Sequence, residues 1–457
     1  MTSFFESDLR KSLLALAVAG ALTACGGDDS GDNIDPEIEE EEHEHAGSRL
    51  IYTVTDESGV FLFEEAESEF SKTDVTTSTT GATLVLATSK MTAALLDNGA
   101  VSIVDAGIEH HEEEGAEEAA AEEEHSEEEH EDVTATATVL TSITQIVATH
   151  EYFSAFDGMD SHVIDAETGS EITAPSSDAY PILALSGGHF LTFNAAETGI
   201  NVTVTEEDGT ALTTPAAWNC DGNIAATAQT EILTQVLCSN GNLLTLVAEE
   251  GATDTTFNSE SAADTDFTAL TPATSGDDVI AAWSTSGELT LTLGMGDHTH
   301  TVDVSDNVTS TNFIGVATLA EEGSNVFGVL GTDGVFTGVY YAIEGHAITY
   351  ASKDAFVIDA DATWESDDAL YASDISFFAF NSSDNRLYLI DGHEDGDLHV
   401  HTSISDSALS NVASAVFAFA GEGGDEHAHE ESEHEEEGHA HEEGEEEGAG
   451  TEAVQAY

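Results

Sequence analysis

The sequence predicts an all-β protein, a β-propeller of seven or eight four-stranded blades that carries disordered, acidic, histidine-rich arms. Runs such as ATLVLAT, AVSIVDA and INVTVTE alternate apolar and polar residues, which is the pattern of half-buried strands. The alternation continues from residue 49 to about residue 421, and no helical periodicity there extends beyond two turns. A β-sandwich pair or a β-helix is the alternative architecture.

A recurring hairpin turn predicts the blade number. Apolar strands flank a polar turn at eight places, namely Gly59, Gly99, Gly158, Gly199, Gly241, Gly287, Gly334 and Asn385. Most successive turns are about 40–50 residues apart, the period of a four-stranded blade. We favour eight blades, because the first hairpin (LIYTVTD–GVFLFEE) has no strands before it, and the C-terminal run SAVFAFAG would complete that blade and close the ring.

The one long interval between turns, from Gly99 to Gly158, contains a stretch of histidine and glutamate at residues 107–132. Removing about 20 residues restores the repeat, so we interpret this stretch as an insertion into a blade connection. Glutamate runs repel themselves and bury nothing, which predicts a mobile loop outside the folded body.

The first residues have the pattern of an export signal. Arg10 and Lys11 precede the apolar run SLLALAVAGALTA, which is too short to span a bilayer comfortably, so residues 1–24 are predicted to be a signal peptide. The following LTAC resembles a bacterial lipobox, and this implies lipidation of Cys25. Gly26 after it favours the outer membrane in the sorting pattern that it resembles, with the protein facing the periplasm.

The remaining domain boundaries follow from composition. Residues 25–48 form an acidic tether, residues 49–421 the propeller, and residues 422–457 a tail rich in HAHEE units that is expected to be disordered.

The charge restricts the possible partners. The chain has 92 acidic residues against 7 lysines and arginines, for a net charge of −85. Nucleic acid is excluded as a partner, and contact with the membrane is expected only through the lipid anchor. Cations, or proteins with a basic face, are the expected partners. The alternative is that the acidity is only an adaptation to salt, which screens the self-repulsion.

Histidines among carboxylates predict metal binding by the arms. Imidazole and carboxylate together suit Zn²⁺, with Ni²⁺ or Cu²⁺ possible. Because coordination needs neutral imidazole, with a reference pKa of about 6.5, metal uptake should weaken below about pH 6. The candidate ligands are His43 and His45 in the tether and His110, His111, His125 and His130 in the inserted loop.

The propeller itself contains further candidate ligands. His150 and His189 occur singly, at a strand leading into a hairpin and at the start of a strand. His298 with His300, and His399 with His401, are spaced i, i+2 on apparent strands, which directs both imidazoles to one side of the sheet. Asp297 and Asp397 precede the pairs and could complete a tetrahedral set or orient the imidazoles. The alternative is that these are ordinary solvent-facing histidines.

Two cysteines remain after Cys25. Cys220 and Cys238 flank a segment that reads as two short strands and a turn, and in an exported protein they are expected to form a disulfide between neighbouring strands. Two free buried thiols are the alternative. The chain contains no GxSxG, HExxH or Walker motif, so we do not expect an enzyme.

Several segments resemble the periplasmic zinc metallochaperones of the AztD type. The segments are DNGAVSIVDAGIEHHEEE, TQIVATHEYFSAFDG, SGGHFLTF and NCDGNIAA followed by VLCSNGNLLTL. The resemblance implies a β-propeller that delivers zinc to the solute-binding protein of an ABC transporter. It places His110 and His111 at the start of a metal-collecting loop, and His150 and His189 at matching strand positions. The sequence departs from the family at Asp221-Gly222-Asn223 and at Tyr180-Pro181, where the family tends to have histidines nearby.

The sequence therefore predicts a monomeric envelope lipoprotein, a metallochaperone that captures Zn²⁺ and delivers it to a metal-transport partner. The alternatives are a passive zinc buffer or storage lipoprotein, and a propeller scaffold that binds no metal and has a salt-adapted surface.

Overall fold

A computed structural model describes residues 48–55, 59–66, 69–76, 80–87, 92–105, 134–149, 151–250, 255–273, 278–321, 324–345, 347–372, 376–392, 398–405, 409 and 412–419. All of these lie in one unit of the chain, Ala46–Tyr457, whereas the other unit, Met1–His45, lies wholly outside them. The predicted signal peptide, inserted loop and tail also fall outside the described residues.

Every strand in the described residues belongs to one of eight four-stranded antiparallel sheets, which we call blades 1 to 8. Blade 1 contains β1 (Ser48–Val54), β2 (Val60–Ala66), β3 (Glu69–Thr76) and the last strand, β32 (Val412–Phe419). Blade 2 contains β4 (Thr83–Ala87), β5 (Thr92–Asp97), β6 (Ala100–Asp105) and β7 (Thr134–Ala135). Blade 3 contains β8 (Gln145–Ala148), β9 (Tyr152–Phe156), β10 (Ser161–Asp165) and β11 (Glu171–Ile172). Blade 4 contains β12 (Leu183–Leu185), β13 (His189–Ala195), β14 (Ile200–Glu206) and β15 (Trp218–Cys220).

The second half of the ring repeats the same order. Blade 5 contains β16 (Ile224–Gln229), β17 (Leu233–Cys238), β18 (Leu243–Glu250) and β19 (Thr255–Ala262). Blade 6 contains β20 (Ala269–Pro272), β21 (Val279–Trp283), β22 (Leu289–Met295) and β23 (His298–Asp303). Blade 7 contains β24 (Phe313–Glu321), β25 (Ser324–Gly331), β26 (Val335–Glu344) and β27 (Ala347–Val357). Blade 8 contains β28 (Ala369–Ala372), β29 (Phe377–Asn381), β30 (Arg386–Gly392) and β31 (Leu398–Ser405).

The ring closes between the two ends of the described chain, as the sequence predicted. Strand β32 pairs antiparallel with β1, with Ser48 opposite Phe419, and completes blade 1. The innermost strands of neighbouring blades contact each other around the centre. For example, β32 of blade 1 contacts β4 of blade 2 and β28 of blade 8. The preference for eight blades and the all-β class are therefore confirmed, and closure leaves no blade with a missing strand.

The predicted hairpin turns are the same connection in every blade. All eight lie between the second and third strands, and all eight turn residues have positive φ, from 50° at Asn385 to 150° at Gly59. Glycine adopts this backbone region without the steric cost that a Cβ imposes, which is why the repeat was visible as a glycine pattern.

Strand direction defines two ends of the propeller. We name the strands of each blade A to D outward from the centre, so that β32 is strand A of blade 1 and β1 its strand B. Because neighbouring strands are antiparallel, the A–B and C–D connections lie at one end, here called end 1. The B–C hairpins and the connections between blades lie at the other end, end 2.

The core consists of apolar side chains packed between adjacent blades. Between blades 7 and 8, Phe336 and Phe377 are fully buried with ring centroids 5.2 Å apart. Gly328 lies against both rings, and a Cβ there would come within 2.7 Å of Phe377 and 2.8 Å of Phe336. Close contact between blades therefore depends on small residues facing large aromatic ones.

Cys220 and Cys238 form a disulfide, as predicted, and the bond joins two blades. Cys220 ends strand β15 of blade 4, and Cys238 ends strand β17 of blade 5. Both strands end at end 2, and both cysteines are buried. The two strands predicted between them are β16 and β17, so the disulfide links the outer edge of one blade to the interior of the next.

Helix is nearly absent from the described part of the chain. It contains two short 3₁₀ helices, Ser186–Gly188 and Ser305–Asn307. None of its helices has the length and apolar content to cross a bilayer.

Candidate metal site

A pocket of about 330 Å³ lies at end 1, where the A–B connections of blades 3, 4 and 5 meet. Its potential metal ligands are Glu151 from blade 3, His189 from blade 4 and Glu231 from blade 5. Imidazole and carboxylate are ligand types that suit Zn²⁺, and these three side chains line one pocket without being grouped closely enough to hold an ion.

The loop before His189 holds its ring in the wall of this pocket. The carbonyl oxygen of Ser186 lies 3.3 Å from Nδ1 of His189, and the ring lies edge-on to Phe257 with centroids 5.2 Å apart. A carbonyl only accepts, so the proton of this hydrogen bond is on Nδ1. Nε2 then carries the lone pair that a metal needs, which is the usual arrangement of a metal-binding histidine.

The neighbouring blade anchors the same loop. The hydroxyl of Ser186 donates a hydrogen bond of 2.8 Å to the carbonyl oxygen of Glu231. The loop of blade 4 and the loop of blade 5 are therefore tied together on either side of the pocket, which restricts the movement of His189 relative to Glu231.

Sequence reasoning selected His150 and His189 but missed the carboxylates. His150 itself lies outside the described residues, but Thr149 and Glu151 on either side of it both line the pocket. Glu151 and Glu231 each follow strand A of their blades, so the A–B position in the repeat was a signal that could have identified them.

Among the residues that the structure describes, no group of three or more His, Cys, Asp or Glu side chains is positioned to hold a metal ion.

The pair His298 and His300 lies at the start of β23, on the strand that was predicted. Nδ1 of His298 contacts a carboxylate oxygen of Asp297, which favours the tautomer with the proton on Nδ1. His300 differs, because the backbone N–H of Ile348 in blade 7 donates to its Nδ1 at 3.3 Å. The proton of neutral His300 is then on Nε2, and this arrangement does not favour metal binding through that nitrogen.

The pair His399 and His401 lies on β31, with ring centroids 6.4 Å apart and an angle of 65° between the ring planes. The pairing of β31 with β30 shifts at His401, so the strand has an irregularity between the two histidines. The two rings lie near each other on one strand. Asp397 lies outside the described residues.

His162 belongs to a different surface. It accompanies Glu171 beside a cavity of about 510 Å³ on the outer strands of blade 3, with Nδ1 2.7 Å from Oε1 of Glu171. In the nearby hairpin, backbone N–H groups of Asp160 and Met159 hold the pKa of Asp157 below its usual value. His162 therefore provides a comparison histidine away from the end-1 pocket.

The attachment points of all three arms lie at end 1. Asp105 and Thr134, which bound the inserted loop, pair with each other across the C–D connection of blade 2. Ser48 begins strand B of blade 1, and Phe419, opposite it, ends strand A. The chain segments that contain His43, His45, His110, His111, His125 and His130, and the C-terminal tail, therefore all join the propeller at the end where the pocket lies.

Gly187 is expected to position His189. Gly187 and Gly188 have nearly the same left-handed backbone, with φ of 70° and 74°, so alanine at either costs about 1–2 kcal/mol of strain. A Cβ on Gly187 would also overlap the hydroxyl of Thr255 and lie 2.9 Å from its Cβ, whereas one on Gly188 meets nothing within 4 Å. We expect Gly187→Ala to weaken zinc binding by moving the His189 loop, and Gly188→Ala to lower stability alone.

The measurement is zinc affinity by chelator competition together with the urea midpoint of both variants. Equal zinc affinity in Gly187→Ala and Gly188→Ala would contradict this role for Gly187.

The fold and the pocket define a class of protein: an eight-bladed, four-stranded propeller with histidine and carboxylates in a pocket at one end. Two solved structures of AztD from Citrobacter koseri share this fold, each at 13% sequence identity. The apo form gives a TM-score of 0.54 and covers 82% of this chain and 99% of AztD. The other gives a TM-score of 0.56 and covers 82% of this chain and 100% of AztD.

A further solved structure is less similar. A periplasmic gluconolactonase from Pseudomonas aeruginosa, PpgL, has 11% identity and a TM-score of 0.39, and covers 82% of this chain and 100% of its own. Neither a protein family nor a curated protein matches the sequence. A propeller fold alone neither assigns nor excludes an enzymatic activity.

Proposed function

We propose that this protein is an envelope zinc-binding lipoprotein, anchored through Cys25 in the outer membrane and facing the periplasm. It acts as a metallochaperone that captures Zn²⁺ and delivers it to the solute-binding protein of a zinc ABC transporter. The carrying observation is that the end-1 pocket, with His189, Glu151 and Glu231, lies at the same end as the attachment points of every histidine-bearing arm. The propeller fold that this protein shares with AztD supports the same proposal.

In this mechanism the arms and the pocket have different tasks. Histidines spread along acidic chain capture ions quickly and weakly, since each ion finds only part of a coordination sphere at any position. The pocket provides the tighter site in this proposal. Its three potential ligands are not positioned as a metal-binding group in the described structure, so the loops that carry them must draw together around the ion. With 92 acidic residues against 7 basic ones, the surface attracts cations to both.

The charge also indicates what kind of recipient would dock. An acidic face repels most acidic periplasmic surfaces, so a recipient needs a basic or histidine-bearing face around its own metal site. Salt should then slow the docking of the recipient more than it lowers the affinity for the bound ion. Docking depends on charges that are far apart, whereas the ion and its ligands interact at short distance.

Direct transfer is the test that separates a chaperone from a passive buffer. The mature chain, from Cys25 onward, is loaded with one equivalent of Zn²⁺ and mixed either with the apo solute-binding protein or with an excess of chelator. A chaperone gives transfer that is faster than spontaneous dissociation into chelator and rises with recipient concentration. A transfer rate equal to the dissociation rate means a buffer, and no tight zinc at neutral pH and high salt means a scaffold without metal.

The inserted loop is tested separately, by deleting residues 107–132. If the arms only collect ions, the deletion slows uptake and lowers the number of weak sites, and the tight site keeps its affinity. Unchanged uptake rate and stoichiometry would remove the loop from the mechanism.

A further inference from the structure

Two exposed apolar side chains lie close together on the outer strands of blade 7. Ile343 on β26 and Tyr350 on β27 are each 38% exposed, and they are two of the four large apolar side chains left exposed in the described part of the chain. Ile343 lies opposite Ile348 in the pairing of β26 with β27, and Tyr350 follows Ile348 by two residues. Both side chains are therefore on the same face of the blade as Ile348, at the diagonal spacing of about 7–8 Å.

This face of blade 7 adjoins the outer strands of blade 6. Ile348 is buried in the apolar core between the two blades, and Met295 packs against the same core from the end of β22. His298 lies opposite Met295 across the β22–β23 hairpin, and His300 follows on the same face of β23. We call the surface formed by Met295, His298, His300, Ile343 and Tyr350 the blade 6–7 rim.

Two hydrogen bonds between the blades hold the blade 6–7 rim in place. The backbone N–H of Ile348 donates to Nδ1 of His300 at 3.3 Å, and the hydroxyl of Tyr350 donates to the carbonyl oxygen of Asp303 at 3.3 Å. A surface that is already ordered loses less conformational entropy when a partner binds. The β22–β23 and β26–β27 hairpins are both C–D connections, so the rim lies toward end 1, the end of the pocket and of the arm attachment points.

Three exposed carboxylates adjoin the rim. They belong to Asp297, Asp303 and Glu344, each of which is next in the chain or hydrogen-bonded to a residue of the rim. The hydroxyl and the backbone N–H of Ser305 hold the pKa of Asp303 below its usual value, which keeps that carboxylate charged. Tyrosine and methionine within a charged border are typical of the centre and edge of a protein interface.

The charge determines which occupant fits the blade 6–7 rim. A second copy would bring the same carboxylates, and at a net charge of −85 two copies repel each other. The segments 26–47, 107–132 and 422–457 of the chain itself are rich in acidic residues, so the rim repels them as well. Anionic lipid headgroups are repelled for the same reason. A different protein, with lysine or arginine around an apolar contact, is the occupant that fits.

We propose that the blade 6–7 rim is the docking surface for the solute-binding protein that receives zinc, and that this protein meets it with an apolar contact bordered by basic side chains. The inference rests on the proposed function and adds the place where the recipient binds. Ile343 and Tyr350 form the apolar centre of the contact, and the carboxylates beside them speed the encounter and fix its orientation.

The experiment measures the affinity of the zinc-loaded mature chain for the apo solute-binding protein of the zinc transporter, with thermal unfolding of every variant. Ile343→Ala and Tyr350→Ala are each expected to weaken binding about 10-fold or more, because residues at the centre of an interface dominate its affinity. Val357→Ala is the matched control. Val357 is more exposed, at 51%, and lies on the same strand, but it ends β27 toward end 2, so this variant should bind like wild type.

The border is tested through the rate of association. Replacing Asp297 by asparagine and Glu344 by glutamine together should slow association with the solute-binding protein and reduce its dependence on salt, because both charges act before contact. An unchanged association rate and salt dependence would contradict a role for these carboxylates in docking.

A photo-crosslinking amino acid in place of Ile343 identifies the occupant. Cross-linking to the solute-binding protein supports the proposal, whereas cross-linking to a second copy, within the chain or to nothing overturns it. Direct zinc transfer with wild-type affinity in both Ile343→Ala and Tyr350→Ala means that docking occurs elsewhere, and it leaves the proposed function standing. If the wild-type chain neither binds the solute-binding protein nor transfers zinc to it directly, the proposed function fails and this inference fails with it.

Discussion

Replacing His189 by alanine is expected to lower the affinity of the mature protein for Zn²⁺ by roughly 100-fold or more. Structural zinc sites gain about 10–16 kcal/mol from about four ligands, so one ligand contributes on the order of 3 kcal/mol. His189 is the one described histidine that lines the end-1 pocket. Its Nδ1 is hydrogen-bonded to the carbonyl oxygen of Ser186, so Nε2 is the nitrogen that would bind zinc, and the substitution removes it.

The measurement is a competition titration against a strong chelator at neutral pH and high salt, which screens binding to the acidic arms. Because the arms keep their own histidines, the variant should retain weak zinc uptake and lose only the tight component. The fold should persist, since His189 is only partly buried and begins a strand whose pairing uses backbone atoms.

His162→Ala is the matched control for this prediction. His162 also lies near the start of a strand, and its Nδ1 is hydrogen-bonded to Glu171. It differs in position, because it lies beside the cavity on the outer strands of blade 3. Its loss should leave the tight component unchanged. If His162→Ala and His189→Ala weaken binding equally, or neither does, the end-1 pocket is not the tight site.

The blade repeat could be predicted from the sequence because its cause is local. Each B–C hairpin needs a left-handed residue, and that requirement placed Gly99, Gly241 and Asn385 at matching points of the repeat. Closure was predictable for a similar reason, since an unpaired first hairpin requires a partner strand from elsewhere in the chain.

The pocket could not be predicted in the same way because it joins three blades. Glu151, His189 and Glu231 are separated by about 40 residues each in the chain. They share the A–B position of the repeat, but that position occurs in every blade and does not mark these three blades as the ones that form a pocket. The tautomer of His300 likewise depends on a backbone N–H from another blade.

Removing the disulfide, by replacing Cys220 and Cys238 together with alanine, is expected to lower the free energy of unfolding by about 3 kcal/mol. The two cysteines are 18 residues apart, and closing a loop of about that length removes entropy from the unfolded chain worth about 3 kcal/mol. Alanine suits both sites, because each cysteine is buried among apolar residues such as Val236 and Leu244 and a serine would bury a hydroxyl there.

Reductant is the internal control. Wild type in reducing buffer should unfold near the midpoint of the double variant, and the variant should not respond to reductant at all. A reductant effect of equal size on both proteins would mean that the loss arises elsewhere. The location of the bond adds a second criterion: the cysteines end β15 and β17 at end 2, whereas the pocket that contains His189 lies at end 1. Zinc affinity of the folded variant should therefore match wild type, so that stability and metal binding vary independently across the two ends of one propeller.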